Sequence, residues 1–468
     1  MQRFAKKRPF MRMIMSLCFL MTTSYQAAPY TLIDLGTLGG IENFSFAINN
    51  LNEVTGYSDG KITAIDDLDE DNPVQVCTAV DIENSYKDYC NHAYLYTNET
   101  ITDIGINSIR DSFGYDINNN SEIVGFTVEL VEDGDDATID FNRERAFISF
   151  AGLPLELLPL PDESNDITSG LAANQRALDI SDNRQIVGFG LVHFINDAEE
   201  ETDQNRPWLY DYDTSSYTIL PLFSDEISRA GSARAINNNG LVVGWSSSEV
   251  EDNHVHALLW DPSSPDLSID LGTLGGYTSA AYDINDNGII VGVSDTTTDF
   301  ANETIQNLAF YYDLNDDAQM KVLPEFSEDE RYNKSTAYSI NNNNQIVGSA
   351  LISVGFTPQT AAFLYEVGAD QLINLNDMVD CSLGWDIIMA RDINDNGAIT
   401  GTAIVDNELR SFMLIPSGAT EPTNCTKLRN DALEEEKQAN RNAYGSGGIG
   451  LYVISLLSLL LLRRRFTS

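Results

Sequence analysis

The sequence predicts an all-β protein, a seven-bladed β-propeller that its own N-terminal strand closes into a ring. Three observations within the 468 residues predict this fold. One nine-residue motif recurs seven times, further strand patterns follow each copy, and the seventh unit lacks a strand that the N-terminal segment can supply. Internal repeats of this length are typical of propellers and solenoids, in which each repeat is one small unit.

The recurring motif reads Ile-Asn-x-Asn-x-x-Ile/Val-Val-Gly and predicts a tight β-hairpin. Asn and Gly accept the positive φ that such turns require, and the final glycine indicates close backbone packing or a bulge. The final glycines are 48 to 69 residues apart, and Leu51 and Ser181 replace Asn in two copies. The copies are residues 48–56, 117–125, 180–188, 236–244, 284–292, 340–348 and 393–401.

Two further strand patterns complete each unit. The first includes His92-Ala93-Tyr94 and recurs seven times, and the second, such as residues 268–272, follows only the first six units. Residues 32–40 match residues 268–276 almost position for position, so the N-terminal strand can complete the last blade. Closure into a ring also protects strand edges. The alternative is an open β-solenoid, but its coils would be more uniform in length than these repeats.

The same residues resemble the HAF-repeat family of extracellular proteins, named for a His-Ala-Phe strand. The resemblance rests on residues 271–276 (LGTLGG), residues 281–285 (AYDIN), Gly288 and Val291-Gly292. It covers residues 30–416 and implies an extracellular location without an assigned activity. Histidine begins the first of the two later strand patterns in only two units, at His92 and His256, where we expect a structural role.

The chain is strongly acidic, with 71 acidic and 27 basic residues and a net charge of −44. Such a surface repels nucleic acid and anionic lipid, so we exclude both as partners. It suits a saline exterior or, alternatively, the binding of cations.

Both ends of the chain carry targeting patterns. Residues 1–28 read as a signal peptide, with a basic start, an apolar stretch and small residues before Pro29, which predicts use of the export machinery. A β-propeller is expected over residues 29–426, a polar linker over 427–446 and an apolar segment with an arginine cluster over 447–468. The last segment predicts a short transmembrane helix that keeps its arginines in the cytoplasm.

This tail resembles a GlyGly-CTERM sorting signal, through Gly447-Gly448, the uncharged stretch and Arg463-Arg464-Arg465. The resemblance implies cleavage by a rhomboid-type intramembrane protease, followed by release or transfer to the surface. A plain membrane anchor is the alternative. The expected location is therefore the cell envelope, or the exterior after processing.

Four cysteines remain outside the signal peptide, which is an even number suited to disulfides in an oxidising compartment. Cys77–Cys90 and Cys381–Cys425 form the simplest of three possible pairings.

Two turns satisfy the pattern Asp-x-Asn-x-Asn-Gly, the start of an oxygen-rich calcium loop. The candidate ligands are Asp283, Asn285, Asn287, Asp392, Asn394 and Asn396. The later ligand positions are poor, and asparagine-rich turns form without metal, so both interpretations stay open.

We find no catalytic motif in the sequence, such as a nucleophile elbow or a phosphate-binding loop. The sequence therefore favours a non-enzymatic binding module whose partner is a protein or a glycan. The alternative is a secreted propeller hydrolase acting on an extracellular polymer, which requires paired carboxylates over a central cleft.

Overall fold

The computed structural model is an all-β ring of seven four-stranded antiparallel sheets, the blades of a β-propeller. It describes residues 28–61, 89–105, 111–132, 140–159, 174–195, 201–223, 230–247, 254–264, 268–296, 306–316, 319–326, 334–354, 357–419, 422–423, 425–426, 428 and 431.

Each blade uses four strands in chain order, and only the last blade departs from this rule. Blade 1 contains β2 (Gly39–Ile48), β3 (Val54–Lys61), β4 (Tyr89–Thr97) and β5 (Thr100–Asp103), and blade 2 contains β6 (Ser112–Ile117), β7 (Glu122–Glu132), β8 (Asp140–Phe150) and β9 (Glu156–Leu157). Blade 3 contains β10 (Gln175–Ile180), β11 (Gln185–Ile195), β12 (Glu201–Asp211) and β13 (Ser216–Ile219), and blade 4 contains β14 (Gly231–Ile236), β15 (Val242–Ser247), β16 (Val255–Trp260) and β17 (Ser268–Asp270). Blade 5 contains β18 (Ser279–Ile284), β19 (Ile289–Asp295), β20 (Asn307–Asp313) and β21 (Met320–Val322), and blade 6 contains β22 (Ser335–Ile340), β23 (Gln345–Val354), β24 (Thr357–Glu366) and β25 (Ile373–Asn374). Blade 7 contains β26 (Asp386–Ile393), β27 (Ile399–Val405), β28 (Glu408–Pro416) and, as its outermost strand, β1 (Tyr30–Asp34).

The N-terminal strand closes the ring as predicted. It pairs antiparallel with β28 from Tyr30 opposite Pro416 to Asp34 opposite Phe412. The first strand of every blade contacts the first strands of both neighbouring blades, including β2 with β26. These seven first strands therefore enclose a central channel, and the open solenoid is excluded.

The apolar core lies between neighbouring blades. The third strand of each blade supplies the largest buried side chains, among them Tyr94, Phe147, Trp208, Phe310 and Phe412. One interblade cluster joins residues of blade 1 to Ala398 and Met413 of blade 7, so apolar packing crosses the closure as well. Burial of aromatic side chains of this size supplies most of the stability of such a layer.

The final glycine of each motif permits a β-bulge in the strand opposite it. In all seven blades the register of the first strand shifts by one residue opposite this glycine. A Cβ atom at Gly292, for example, would overlap the carbonyl oxygen of Ala280. The predicted bulge is therefore confirmed, and the extra residue of each bulge changes the direction of its side chain.

The disulfide between Cys381 and Cys425 is confirmed. Cys381 begins a short 3₁₀ helix (Cys381–Leu383) that follows another (Leu375–Met378) in the connection between blades 6 and 7. Cys77 lies outside the described residues, as do the signal peptide through residue 27 and the sorting residues Gly447, Gly448 and Arg463 to Arg465. Within the described ranges, no helix is long and apolar enough to cross a membrane.

Candidate functional site

The seven motif turns meet around one mouth of the channel and form what we term the turn ring. At its first level, the main-chain N–H of the residue after the motif's first Asn donates to a side-chain oxygen of the next turn. These seven hydrogen bonds measure 2.8–2.9 Å and run unbroken, from Asn50 onto Asn119 through to Asp395 onto Asn50. The turn ring thus ties each blade to the next.

Two further levels of the turn ring use side-chain amides. The first Asn of the motif donates its Nδ2 to a main-chain oxygen of the next turn at 2.7–3.1 Å, except in blade 3, where Ser181 replaces it. The second Asn does the same at 2.7–3.0 Å, except in blade 1, where Leu51 replaces it. The two sequence departures coincide with the two gaps in the hydrogen bonding.

The turn ring also occupies most of the atoms predicted to bind calcium. Asn285 and Asn394 donate to the neighbouring turn and accept main-chain N–H groups of their own turn on Oδ1. Asn287 and Asn396 donate to the neighbouring turn, whereas Asp283 and Asp392 line the channel. In the described part of the chain, no group of three His, Cys, Asp or Glu residues is placed to hold a metal ion. Calcium binding at these turns stays a prediction.

Four carboxylates lie deeper in the channel than the turn ring, at the residue before the motif isoleucine. We term them the carboxylate tier. They belong to Asp116, Asp179, Asp283 and Asp392. Each accepts, on Oδ2, the main-chain N–H of the motif isoleucine in the next blade, at 2.6–3.0 Å. The hydroxyl of Ser339 also donates to Asp392.

The close approach of these acids changes their protonation. Burial raises the pKa of Asp179 well above its ordinary value, and the adjacent Asp116 carboxyl raises it further. Burial also raises the pKa of Asp283 to about 6 and that of Asp392 to about 7, although their hydrogen bonds oppose the effect. Desolvation disfavours the charged form of a carboxyl group, so burial favours the protonated form of Asp179, Asp283 and Asp392.

The seven bulge residues form a third layer, which we term the belt. Its members are Phe46, Tyr115, Leu178, Arg234, Tyr282, Tyr338 and Arg391. Phe46 stacks on Tyr115 with ring centroids 4.9 Å apart, and Tyr282 lies 5.9 Å from Tyr338. The Arg391 guanidinium lies 5.4 Å from the ring centre of Phe46 and 4.9 Å from that of Tyr338, and Arg234 lies 5.6 Å from that of Tyr282.

The mouth opposite the turn ring is asymmetric. On the second strand, the residue directly after the motif glycine is large and aromatic in blades 1 to 4, where it is Tyr57, Phe126, Phe189 and Trp245. In blades 5 and 6 that position carries the smaller Val293 and Ser349. A cleft of about 410 Å³ lies there, lined by Val293, Asn307, Lys334, Ser335, Thr336, Ser349, Ala350, Leu351 and Thr360. We term it the hydroxyl cleft.

The two histidines at the start of the third strand have the expected structural role. Nδ1 of His92 lies 2.7 Å from a carboxylate oxygen of Asp103, and Nδ1 of His256 lies 2.8 Å from one of Asp270. Each pair joins the third and fourth strands of one blade.

The belt was not predicted from the sequence, and in the carboxylate tier only Asp283 and Asp392 were predicted as site residues, as calcium ligands. A signal for the belt is present two residues before each motif isoleucine, where a large residue of variable type interrupts an otherwise regular repeat. Its direction into the channel depends on the bulge, which shifts the alternation of a strand by one residue.

The comparisons with known proteins give one family match. A profile for a family described as "Protein of unknown function (DUF3466)" matches residues 272–465, which include blades 5 to 7 and the apolar C-terminal segment. No curated protein sequence matches the chain.

Several solved structures are similar to this chain at low identity. The polysaccharide lyase Uly1 is 10% identical with a TM-score of 0.40, over 83% of this chain and 99% of the lyase. A dipeptidyl peptidase 4 from Porphyromonas gingivalis is 9% identical with a TM-score of 0.38, over 74% of this chain and 49% of the peptidase. An acylaminoacyl peptidase from Pyrococcus horikoshii is 12% identical with a TM-score of 0.34, over 62% of this chain and 44% of the peptidase. The chain therefore spans less than half the length of either peptidase.

Proposed function

We propose that this protein is an exported, non-enzymatic β-propeller that binds a protein or glycan partner at the cell envelope or outside the cell. The observation that carries the proposal is the belt, which combines aromatic faces and two arginines within the channel of a strongly acidic protein. Aromatic and arginine side chains dominate the energetics of recognition surfaces, and the mouth of a ring offers a concave site.

The cellular location of the protein is part of this proposal. The signal peptide over residues 1–28 directs export, and the tail from Gly447 to Arg465 holds the protein in the membrane until a rhomboid-type protease removes it. The acidic body supports an exterior location, because a high net charge keeps a protein soluble and monomeric.

Membrane attachment and removal of the tail can be tested in a Gram-negative host. We expect a variant in which Gly447 and Gly448 are both replaced by alanine to remain in the membrane fraction with an intact C-terminus, as mass spectrometry would show. The unaltered protein should lose the arginine cluster and leave that fraction. If both proteins keep their tails, the segment is a plain anchor.

The binding proposal is tested by affinity capture and a glycan array with the full-length protein. We expect one saturable partner or glycan class whose binding falls when Arg391 is replaced by glutamine. The charge-matched control is Lys321→Gln, because Lys321 lies on the outermost strand of blade 5 and pairs with Asp316. The proposal fails if no ligand is bound, or if both variants weaken binding equally.

The hydrolase alternative is favoured by the carboxylate tier, because raised pKa values mark many catalytic acids. Three facts oppose it. Every carboxylate of the tier accepts a main-chain N–H of the next blade. The Asp116 and Asp179 side chains are hydrogen-bonded to each other, closer than the roughly 5–9.5 Å between glycosidase carboxyls. The equivalent residues in blades 1 and 4 are Ala47 and Ala235.

The two functions predict different results for Asp392→Asn. In a hydrolase this change would abolish turnover of the polymer found on the array. In the binding module it should leave ligand affinity unchanged and alter only stability. Release of shortened polymer by the unaltered protein, lost in Asp392→Asn, would establish the alternative.

A further inference from the structure

Two arginines of the belt have no acidic partner among the residues that the structure describes. Neither Arg234 nor Arg391 makes a hydrogen bond or an ion pair with any residue that the structure describes. The Nε of Arg234 is buried without a hydrogen-bond partner. By contrast, Arg176 and Arg184 each bind a glutamate at 2.5–2.7 Å. Unpaired arginines are unexpected in a chain where acidic residues outnumber basic ones 71 to 27.

The aromatic rings hold the Arg391 guanidinium without using its N–H groups. Phe46 and Tyr338, from the blades on either side, present their rings to the cation. Such contacts are electrostatic and leave the edge of the guanidinium free to donate hydrogen bonds. A guanidinium edge matches a carboxylate with two parallel hydrogen bonds. Arg391 is therefore preorganised for a planar anion.

The hydroxyl cleft shares strand β22 with Tyr338, the ring that Arg391 contacts in blade 6. Thr336 lines the cleft and precedes Tyr338 by two residues on β22. At about 3.3 Å per residue, the two positions are roughly 7 Å apart along the strand. The lining includes the hydroxyls of Ser335, Thr336, Ser349 and Thr360 and the amide of Asn307, with Lys334 as a third cation. Val293, Ala350 and Leu351 line the rest of the cleft with apolar surface, so the cleft suits a saccharide ring, which has both an apolar face and hydroxyl groups.

We propose that the belt and the hydroxyl cleft together bind a carboxylated saccharide, of the uronic acid type. Its carboxylate binds the free edge of Arg391, and its hydroxyl groups contact the hydroxyl and amide groups that line the cleft between blades 5 and 6. This inference rests on the proposed binding function and names its ligand class. Arg234 adds positive potential from the other side of Tyr282.

The test uses titration calorimetry of the full-length protein with digalacturonate. Neutral digalactose is the matched saccharide without the carboxylates, and tetraglutamate is the acidic peptide. We expect digalacturonate alone to bind, and Arg391→Gln to weaken it by about tenfold or more, since a charge-assisted bidentate contact is lost. Lys321→Gln should change the affinity less than about twofold, because surface charges outside the site contribute little.

A second variant distinguishes the loss of the binding site from misfolding of Arg391→Gln. Ser349→Trp places in blade 6 the residue that blade 4 carries at Trp245, and so fills the hydroxyl cleft without altering charge. This variant should also lower the affinity for digalacturonate by tenfold or more, and its unfolding midpoint should be unchanged.

Equal binding of digalactose, tighter binding of tetraglutamate, or full affinity in folded Arg391→Gln would each overturn the inference. If digalacturonate does not bind but affinity capture yields another partner, only the ligand class is wrong. If neither experiment yields a ligand, the proposed function fails as well.

Discussion

The gap in the turn ring at Leu51 can be filled by a single substitution, and we expect Leu51→Asn to stabilise the protein. In the other six blades an Asn at this position donates to a main-chain oxygen of the next turn at 2.7–3.0 Å. In blade 1 the carbonyl of Asn119 lacks that donor. The substituted amide should therefore restore the seventh hydrogen bond between blades.

The expected gain in the free energy of unfolding comes mainly from the one added hydrogen bond. Leu51 is 62% exposed, so its loss costs little apolar burial. A net hydrogen bond contributes about 0.5–1.5 kcal/mol, and Asn is also favoured in turns. We expect the free energy of unfolding to rise by about 1 kcal/mol, and the reverse change, Asn287→Leu, to lower it by at least as much.

The assay is urea unfolding followed by tryptophan fluorescence, with the slope m unchanged between variants. Leu153→Asn is the matched control, because Leu153 is 61% exposed and lies outside the turn ring. That change should stay within about 0.5 kcal/mol of the unaltered protein. If Leu51→Asn is no more stable than Leu153→Asn, the turn ring does not contribute as argued.

The remaining predictions concern the carboxylate tier and the closure. Because the pKa of Asp392 is raised to about 7 in the folded state, its contribution to stability is present below about pH 4 and lost as the pH rises through 7. Asp392→Asn should therefore be more stable than the unaltered protein at pH 8, by about 1–3 kcal/mol. Its free energy of unfolding, measured in urea, should also change less between pH 5 and pH 8. An equal pH dependence in the two proteins would refute this. Deletion of residues 30–40 should unfold the whole body and not only blade 7, because the first strands form one closed ring; retention of a cooperative transition in circular dichroism would contradict it.

Much of the fold could be predicted because its determinants are local. Each motif carries its turn residues and β-branched strand within nine positions, and the missing last strand is visible by comparing residues 32–40 with residues 268–276. The pairing of Cys381 with Cys425 followed from proximity in the sequence and is confirmed.

The channel could not be predicted in the same way, because its layers are built from residues of different blades. Asp116 and Asp179 are 63 residues apart in the sequence, yet their carboxyls are hydrogen-bonded to each other. The calcium candidates could not be assigned from the sequence for a related reason. The asparagines of Asp-x-Asn-x-Asn-Gly suit a metal loop and an interblade hydrogen bond equally, and only the position of the next blade distinguishes them.

Arg234 and Arg391, which have no acidic partner in the described part of the chain, could not be recognised from the sequence for a third reason. Arg234 and Arg391 look like ordinary surface residues in an alternating strand, where the residue before a buried position faces outward. The bulge opposite the motif glycine changes that direction, and the glycine itself gives no information on which residue will occupy the bulge.

A cysteine crosslink between β1 and β28 tests closure of the ring most directly. Thr31 lies opposite Ile415 in the register of β1 and β28, whereas Met413 lies opposite Ile33, two residues away. Residues directly opposite are within reach of a disulfide, and diagonal neighbours at about 7–8 Å are not. We expect Thr31→Cys with Ile415→Cys to form an intramolecular disulfide, detected by mass spectrometry, and Thr31→Cys with Met413→Cys not to form one. Failure of the first pair, or equal linkage of the second, would contradict closure by the N-terminal strand.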